Sequence, residues 1–121
     1  MSNYSGGEMD DCVFCKIVRG DFGTQLIAEN GSAIAFDDIH PLAPIHVLLV
    51  PRDHVASVHD APGIDPAVLA DCLRLASTVA ESKGIAERGY RVVTNVGPDA
   101  GQSVFHLHFH LLGGRRLGTG V

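Results

Sequence analysis

The chain has 121 residues, of which 45% are hydrophobic, and it carries a formal net charge of -5. These values fit one folded domain with a packed core and exclude an intrinsically disordered chain. No block of Lys or Arg stands out, so we expect no nucleic acid partner. No apolar run has the length that crosses a bilayer, and residues 1–11 are polar and acidic, unlike a secretion signal. We therefore expect a cytoplasmic protein with no membrane partner, a flexible tail over residues 1–11 and a single domain over residues 12–121.

Turn formers and apolar runs divide the rest of the chain into five predicted strands and two helices. The predicted strands are residues 25–29, 32–36, 46–50, 91–95 and 104–112. Asn30-Gly31 between the first two is a strong hairpin signal, because both residues tolerate the positive φ angles of a tight turn. The mostly hairpin order favours an α+β fold, with an antiparallel sheet of about five strands, one long helix and a short N-terminal helix.

The two predicted helices have recognisable ends. The short one covers residues 12–19 and closes at Gly20. The long one covers residues 65–83, because Asp65 can cap its first turn, Pro66 suits its first position and Gly84 follows its end. Apolar residues recur along it at spacings of four, three and four, at Val68, Cys72, Leu75 and Val79. Cys72 is accordingly interpreted as a buried packing residue.

The last predicted strand carries three histidines at alternate positions, in the run His106-Leu107-His108-Phe109-His110-Leu111-Leu112. Because side chains alternate between the faces of a strand, the histidines share one face and the intervening apolar residues can pack against the helix. A solvated face that carries histidines by chance is one interpretation. A histidine nucleophile with helper histidines and a zinc site of the kind found in some hydrolases are two others. The strand alone leaves the last two open.

The loop over residues 95–103 precedes this strand and favours the nucleophile. Gly101 lets backbone N–H groups turn toward a phosphate without a side chain in the way, and Asn95 and Ser103 add short neutral donors. An ordinary turn is the alternative for the loop taken alone. Next to the histidine face, the same residues predict a cradle for a phosphate oxyanion.

Taken together, these features resemble the histidine-triad (HIT) family, in its Hint branch. The resemblance rests on the histidine run, on Gly101-Gln102-Ser103 before it and on Gly113-Gly114 after it. It rests also on Asn95 and on three further segments, Phe14-Cys15-Lys16-Ile17-Val18, Ala35-Phe36-Asp37-Asp38-Ile39 and Ala43-Pro44-Ile45-His46-Val47. It runs from about residue 12 to residue 114 with no evident insertion. It implies hydrolysis of purine nucleoside 5'-phosphoramidates at the P–N bond, without a catalytic cofactor.

The resemblance also implies catalytic roles. His108 would attack the α-phosphorus and form a nucleotidyl-histidine that water then cleaves, which splits one hard displacement into two easier ones. His110 would bond a phosphate oxygen, and Ser103 would bond the phosphate or help to protonate the leaving amine. His46 matches a family histidine near the first triad histidine, and it would join His106 in the histidine network, with a hydrogen-bonded structural role as the alternative. The cradle would be completed by Asn95 and by the backbone of Gly101, Gln102 and Ser103.

The remaining implied contacts concern the nucleoside and the assembly. Asp38 would hold the ribose hydroxyls, although an Asp in a loop is commonly a turn former. An apolar base slot, whose members could equally be core, would be formed by Val13, Phe14, Ile17, Phe22, Phe36 and Ile39. The partner would be a purine nucleotide, with adenine and guanine left open. Hint relatives are homodimers in which the long helix and the following strand extend the sheet across the two-fold. His40 and His59 are expected to be solvated.

Cys12-x-x-Cys15 is a second signal, because this spacing suits zinc but needs two further ligands. Some bacterial HIT proteins combine such a pair with a histidine after the central strand and with the first triad histidine, which correspond here to His54 and His106. The resemblance thus implies a structural zinc bound by Cys12, Cys15, His54 and His106. A reduced, buried thiol pair and a redox dithiol are the alternatives, the second disfavoured by the lack of a thioredoxin-like pattern.

Two departures from the family pattern and three rival functions remain. The run Gly20-Asp21-Phe22-Gly23 replaces a commoner Glu-Ile-Pro type run beside the base slot, and the end of the chain lacks the Trp-Pro-Pro of eukaryotic Hint proteins. The base slot and the leaving-group side could therefore differ.

The rival functions are another HIT activity on dinucleoside polyphosphates or in nucleotidyl transfer, a purine nucleotide-binding module, and a histidine-ligated metallohydrolase.

Overall fold

The computed structural model describes residues 11–119. The predicted tail lies outside these residues except for Asp11, and its flexibility stays a prediction. Five antiparallel strands form one sheet in the order β1-β2-β3-β5-β4. They are β1 (Ala28–Glu29), β2 (Ala33–Asp37), β3 (Ile45–Pro51), β4 (Arg91–Val93) and β5 (Phe109–Gly113). The helices are α1 (Val13–Arg19) and α2 (Pro66–Ser82), with short 3-10 turns at Val58–Gly63 and Pro98–Ala100. The predicted α+β class is confirmed.

Helix α2 covers one face of the sheet for the reasons that its sequence indicates. The Asp65 carboxylate accepts a hydrogen bond from the Ala67 amide at 2.9 Å, which satisfies a donor that the first turn leaves unpaired. Cys72, Leu75 and Val79 are buried against Ala33, Ala35, Val47, Leu49, Leu107, Phe109 and Leu111. The packing role predicted for Cys72 is therefore confirmed.

Helix α1 lies on the opposite face. Alternate residues of β2 and β3 point to this side, and together with Phe14 they form a second buried cluster of Ile34, Phe36, Leu48 and Val50. The Cys12 sulfur accepts from the Cys15 amide at 3.4 Å at the start of the helix, and Gly20 ends it at a φ of 84°. Only glycine adopts that left-handed conformation at little cost. Helix α1 therefore sits over the face of the sheet that carries the histidines.

Strand β5 is shorter than predicted, since it begins at Phe109 rather than at residue 104. Pro51, at the end of β3, has no N–H to continue the ladder, and Leu107 donates instead to the Val55 carbonyl at 2.7 Å. On the other side the Thr94 hydroxyl donates to the His108 carbonyl at 2.7 Å, in place of a backbone bond from β4. β4 and β1 are likewise shorter than their predicted ranges.

Among the helices of residues 11–119, none combines the length and the apolar character needed to cross a bilayer.

Candidate functional site

The three histidines lie on the α1 side of the sheet, as the alternation predicts. Leu107, Phe109 and Leu111 are buried in the core under α2. On the other side the ring of Phe14 contacts the rings of His106 and His108 edge-on, with centroids 5.9 and 5.0 Å apart. His106 is wholly buried, whereas His108 and His110 are partly exposed. The two partly exposed rings, 5.0 Å apart, are therefore the ones that a ligand could reach.

His108 is held in one tautomer by the backbone just before β5. Its Nδ1 lies 2.7 Å from the His106 carbonyl, which can only accept, so Nδ1 carries the proton. Burial lowers the pKa of His108 below its ordinary value, against smaller opposing effects of the His106 carbonyl and of Asp38. The neutral imidazole thus keeps its lone pair on Nε2, as a nucleophile requires.

His46 and His110 form a hydrogen-bonded pair whose direction follows from a backbone amide. The Leu42 amide donates to His46 Nδ1 at 3.0 Å, so the proton of His46 is on Nε2. That nitrogen donates to His110 Nδ1 at 2.9 Å and lies 3.4 Å from an Asp38 carboxylate oxygen. With Nδ1 of His110 accepting, its proton is on Nε2 and is available to an external acceptor. We call His46, His110 and Asp38 the histidine pair with its carboxylate.

Burial keeps this pair uncharged. Desolvation lowers the pKa of His110 to about 4, with help from the neighbouring His108 and His46 and against the attraction of Asp38. Burial also lowers the pKa of His46. The expectation that His46 lies near the first triad histidine is wrong, because its partner is the last one, across the β3–β5 ladder.

The loop before the histidines differs from the predicted cradle. The amides of Gly101 and Gln102 donate to the carbonyls of Pro98 and Gly97, both at 3.0 Å, and this corrects the prediction that they face a phosphate. The Gln102 side chain is buried and bonds Gly97, Ala56 and Val104, so it fixes the loop. Gly101 is required by its φ of 85° rather than by ligand approach. Ser103 is exposed and Asn95 half-buried, where a ligand could meet them.

The residues predicted to contact the nucleoside differ in their exposure, since some are core residues and others lie at the surface. Asp38 is half-buried beside His46, and one carboxylate oxygen also accepts from the His40 amide at 2.8 Å. Phe14 and Phe36 are core residues at 7% and 4% exposure, with Ile17 packed against them. Val13, Phe22 and Ile39 are exposed, the last at 86%. His40 and His59 are exposed as expected.

Cys12, Cys15, His54 and His106 converge, and we call them the cysteine–histidine cluster. Their ligand atoms all lie within 4.8 Å of one another. The Cys12 sulfur is 3.4 Å from His106 Nδ1, the Cys15 sulfur is 3.3 Å from His54 Nδ1, and these two nitrogens are 3.2 Å apart. A tetrahedral zinc, with bonds of about 2.3 Å to sulfur and about 2.0 Å to nitrogen, would separate such atoms by roughly 3.3–3.8 Å.

The donor chemistry of the cluster also fits a metal. His106 Nε2 donates to the Pro51 carbonyl at 2.9 Å, which leaves a lone pair on the Nδ1 that faces the cluster. His54 likewise turns Nδ1 inward, and its buried Nε2 has no hydrogen-bond partner. Burial and the neighbouring Cys12 raise the pKa of Cys15 to about 11, so the protein alone does not hold it as a thiolate. A bound cation would reverse that preference.

Two contributors could not be read from the sequence. The Leu42 amide sets the protonation of His46, and the Thr94 hydroxyl anchors His108 through its carbonyl. Backbone amides carry no residue-type signal, and a threonine at a strand end is too common to indicate a site. Both contributions depend on a fold that brings distant segments together.

Comparison with known proteins agrees with this geometry. Residues 19–117 match the HIT domain family. A purine nucleoside phosphoramidase of Escherichia coli is 38% identical over 109 residues, 90% of this chain and 92% of its own. A HIT family hydrolase from Clostridium thermocellum has a TM-score of 0.86 at 45% identity, covering 93% of this chain and 97% of that one. A histidine triad protein from Clostridium difficile has the same TM-score at 37% identity, with coverages of 92% and 96%. The chain belongs to the HIT family.

Proposed function

We propose that this protein is a hydrolase that cleaves the P–N bond of purine nucleoside 5'-phosphoramidates through a nucleotidyl-His108 intermediate. The observation that carries the proposal is the set of hydrogen-bond distances at these rings, from which a lone pair on His108 Nε2 and a proton on His110 Nε2 follow. A nucleophile and a neutral donor stand side by side, as attack on an anionic phosphorus requires. The E. coli relative named purine nucleoside phosphoramidase supports the substrate class.

In the first step, His108 Nε2 would form a bond to the α-phosphorus while the P–N bond breaks. The departing nitrogen takes the electron pair and needs a proton, which the exposed Ser103 hydroxyl or a water would deliver. The His108 ring becomes positively charged in the intermediate. Its Nδ1–H bond to the His106 carbonyl would stabilise that charge.

In the second step, water would attack the phosphorus, lose a proton to solvent and release His108 with the electron pair of the N–P bond. The product is the nucleoside 5'-monophosphate. His110 Nε2–H would donate to a non-bridging oxygen in both steps. Removing one preorganised donor of this kind typically costs about 10²- to 10³-fold in rate.

The nucleoside contacts are supported by position. Asp38 would accept hydrogen bonds from the ribose hydroxyls at the edge of the histidine pair. Ile39, next to it and 86% exposed, would lie against the purine, because a large apolar side chain in water gains from such a contact. Asn95 and Ser103 would complete the phosphate contacts, with Phe14, Ile17 and Phe36 forming the wall beneath.

We also propose that the cysteine–histidine cluster binds one structural zinc. Its distances and the inward lone pairs of the two histidines support this. A bound zinc would hold both cysteines as thiolates and join α1 to the histidine face. No catalytic cofactor is needed for a histidine nucleophile.

The assembly of the chain is a further part of the proposal. Strand β4 lies at the edge of the sheet, and edge strands are common sites of pairing with another chain, which supports a homodimer formed across that edge. The single domain over residues 12–121, the cytoplasmic location and the lack of nucleic acid and membrane partners stay predictions from the sequence. Light scattering of the purified protein would give the oligomeric state.

The test is intact mass spectrometry after rapid mixing with an adenosine 5'-phosphoramidate, with released AMP measured in parallel. Wild type should gain an AMP-sized adduct and release AMP. His108→Ala should do neither, and His59→Ala, at an exposed histidine, should match wild type. Protein that binds AMP but forms no adduct and shows no turnover would overturn the proposal and favour a binding module.

A further inference from the structure

The chain continues from the end of β5 directly onto the loop beside His46. Gly113 and Gly114 are followed by Arg115, whose guanidinium donates to the Leu42 carbonyl at 3.1 Å and to the Arg116 carbonyl at 2.8 Å. The amide of that same Leu42 donates to His46 Nδ1. Arg115 thus holds the residue that fixes the protonation of His46.

The two glycines make this contact reachable. A Cβ on Gly114, which has a φ of 91°, would lie 3.0 Å from Pro44 Cβ and 3.3 Å from Ile45 Cγ1. A Cβ on Gly113 would lie 2.8 Å from Ile85 Cδ1. The Gly113 backbone therefore packs closely against Ile85, and the Gly114 backbone packs against Pro44 and Ile45 in the segment that follows Leu42, which places Arg115 beside the loop.

If the Leu42 amide is left aside, the hydrogen bond between His46 and His110 can run in either of two directions. In the observed one, Leu42 donates to His46, His46 donates to His110, and His110 offers a proton outward. In the reverse one, His46 carries its proton on Nδ1, His110 donates to His46, and Nε2 of His110 turns a lone pair toward the phosphate. The reverse direction would repel the oxyanion, so the donor at Leu42 selects the useful arrangement.

The side chain of Leu42 does little to hold the Leu42 amide in place, because it is 72% exposed. The two peptide groups that meet at its Cα are held by different partners, one by His46 and one by Arg115. Fixing the carbonyl limits rotation at the Cα and so keeps the amide aimed at Nδ1. Asp38, 3.4 Å from His46 Nε2, favours the same tautomer, so loss of the Arg115 contact would weaken the selection without removing it.

We propose that Arg115 is a positioning residue for the reaction: it fixes the Leu42 peptide, and through it the tautomers of His46 and His110, so that His110 presents a donor to the phosphate. This inference rests on the proposed function for its catalytic meaning but not for the tautomers. Arg115 does not touch the substrate in this account. It acts on His110 through three hydrogen bonds, from Arg115 to Leu42, from Leu42 to His46 and from His46 to His110.

The experiment compares wild type with Arg115→Ala, Arg115→Lys and the adjacent exposed Arg116→Ala as a matched control. Nitrogen-15 NMR of the imidazoles in the substrate-free protein assigns each ring nitrogen as protonated or unprotonated. We expect wild type and Arg116→Ala to show His46 protonated on Nε2 and His110 protonated on Nε2. Arg115→Ala should show averaging between tautomers at both rings, and Arg115→Lys should recover part of the wild-type pattern.

Kinetics on the phosphoramidate provides the second readout. Arg115→Ala should lower kcat by about 3- to 10-fold with KM within about twofold, because the donor acts most strongly on the transition state. A wild-type NMR pattern in Arg115→Ala, or a kcat equal to that of Arg116→Ala, would overturn the inference. If wild type shows the expected tautomers but does not turn over phosphoramidates, the proposed function fails while the tautomer control by Arg115 stands.

Discussion

The cysteine–histidine cluster and the histidine pair with its carboxylate both consist of side chains that can bind a metal, yet their polar atoms are arranged differently. In the pair, His46 Nε2 and His110 Nδ1 are 2.9 Å apart, and His46 carries the proton between them because the Leu42 amide occupies its other nitrogen. In the cluster, the two nitrogens that face each other are 3.2 Å apart and two sulfurs approach the same point. Three or four metal-binding residues in contact are therefore not by themselves a metal site.

The difference lies in whether the hydrogen bonds are complete. Both nitrogens of His46 and Nδ1 of His110 have hydrogen-bond partners. A cation would therefore have to displace the proton between His46 and His110. In the cluster, His106 donates a hydrogen bond from Nε2 to the Pro51 carbonyl and turns the lone pair of Nδ1 inward. The buried Nε2 of His54 has no hydrogen-bond partner. Two imidazole lone pairs and two sulfurs directed at one point indicate a cation site, in which the thiols would lose their protons on metal binding, whereas an alternation of donors and acceptors indicates a hydrogen-bonded network.

The largest expected effect comes from breaking the cluster. Cys15→Ser should lower the zinc content to far below one per chain and the Tm by roughly 10 °C or more, because zinc binding contributes directly to folding. Elemental analysis and thermal unfolding of untagged, reduced protein measure both. Cys72→Ser is the control, since this thiol is buried in the α2 core away from the cluster and should cost stability without changing zinc. If the wild-type protein contains no zinc, the proposed metal site is wrong and the contrast between the two groups is not one of metal against proton.

Breaking the histidine pair should change the rate and leave the metal in place. His46→Leu removes the proton delivered to His110 and should lower kcat by about 10- to 100-fold. His46→Gln should recover part of that loss, because its amide can donate to His110 Nδ1. Both variants should keep the zinc content of wild type. Loss of zinc from His46→Leu would show that the two groups are not separate.

A smaller effect is expected from acid. The folded-state pKa of His110 is lowered to about 4, whereas an unfolded histidine titrates near 6.5. Its contribution to stability is thus complete above pH 6.5 and is lost as the pH falls toward 4, since the unfolded chain then binds the extra proton. The slope cannot exceed about 1.4 kcal/mol per pH unit for one proton. Urea unfolding of wild type and His110→Asn across this range should give a flatter dependence for the variant.

The smallest effect should be that of chelation on the chemical step. If the reaction uses His108 and no metal, zinc-depleted protein kept folded at low temperature should retain kcat within about twofold. Circular dichroism verifies the fold and AMP release gives the rate. A folded but inactive zinc-free protein would favour the metallohydrolase instead.

The sequence predicts the parts of this fold that depend on local periodicity. The alternation of His106, His108 and His110 with apolar residues places both sets on the correct faces, and Asp65 marks the start of α2. The cysteine pair leads to its two histidine partners only through the resemblance to a family. No spacing rule connects His54 to Cys12 across the chain.

What the sequence could not predict depends on neighbours that only folding supplies. Residues 104–108 have a strand-like pattern, but Pro51 offers no donor there and the ladder does not form. Gly101 and Gln102 resemble a phosphate cradle, yet their amides are used within their own turn. Phe14 and Ile39 were predicted to share one slot, and burial separates them into core and surface. Burial depends on how other segments pack around a residue, and the residue type alone does not determine it.

His106 serves two neighbours at once, as a member of the cysteine–histidine cluster and as the backbone acceptor for His108. Its ring turns Nδ1 toward the Cys12 sulfur, and its carbonyl accepts a hydrogen bond from His108 Nδ1. Only the first contribution depends on the side chain, because every residue type has the same backbone carbonyl at position 106. A lineage could therefore replace this histidine and give up the proposed zinc site while the acceptor for His108 stays in place, so the two traits need not be inherited together.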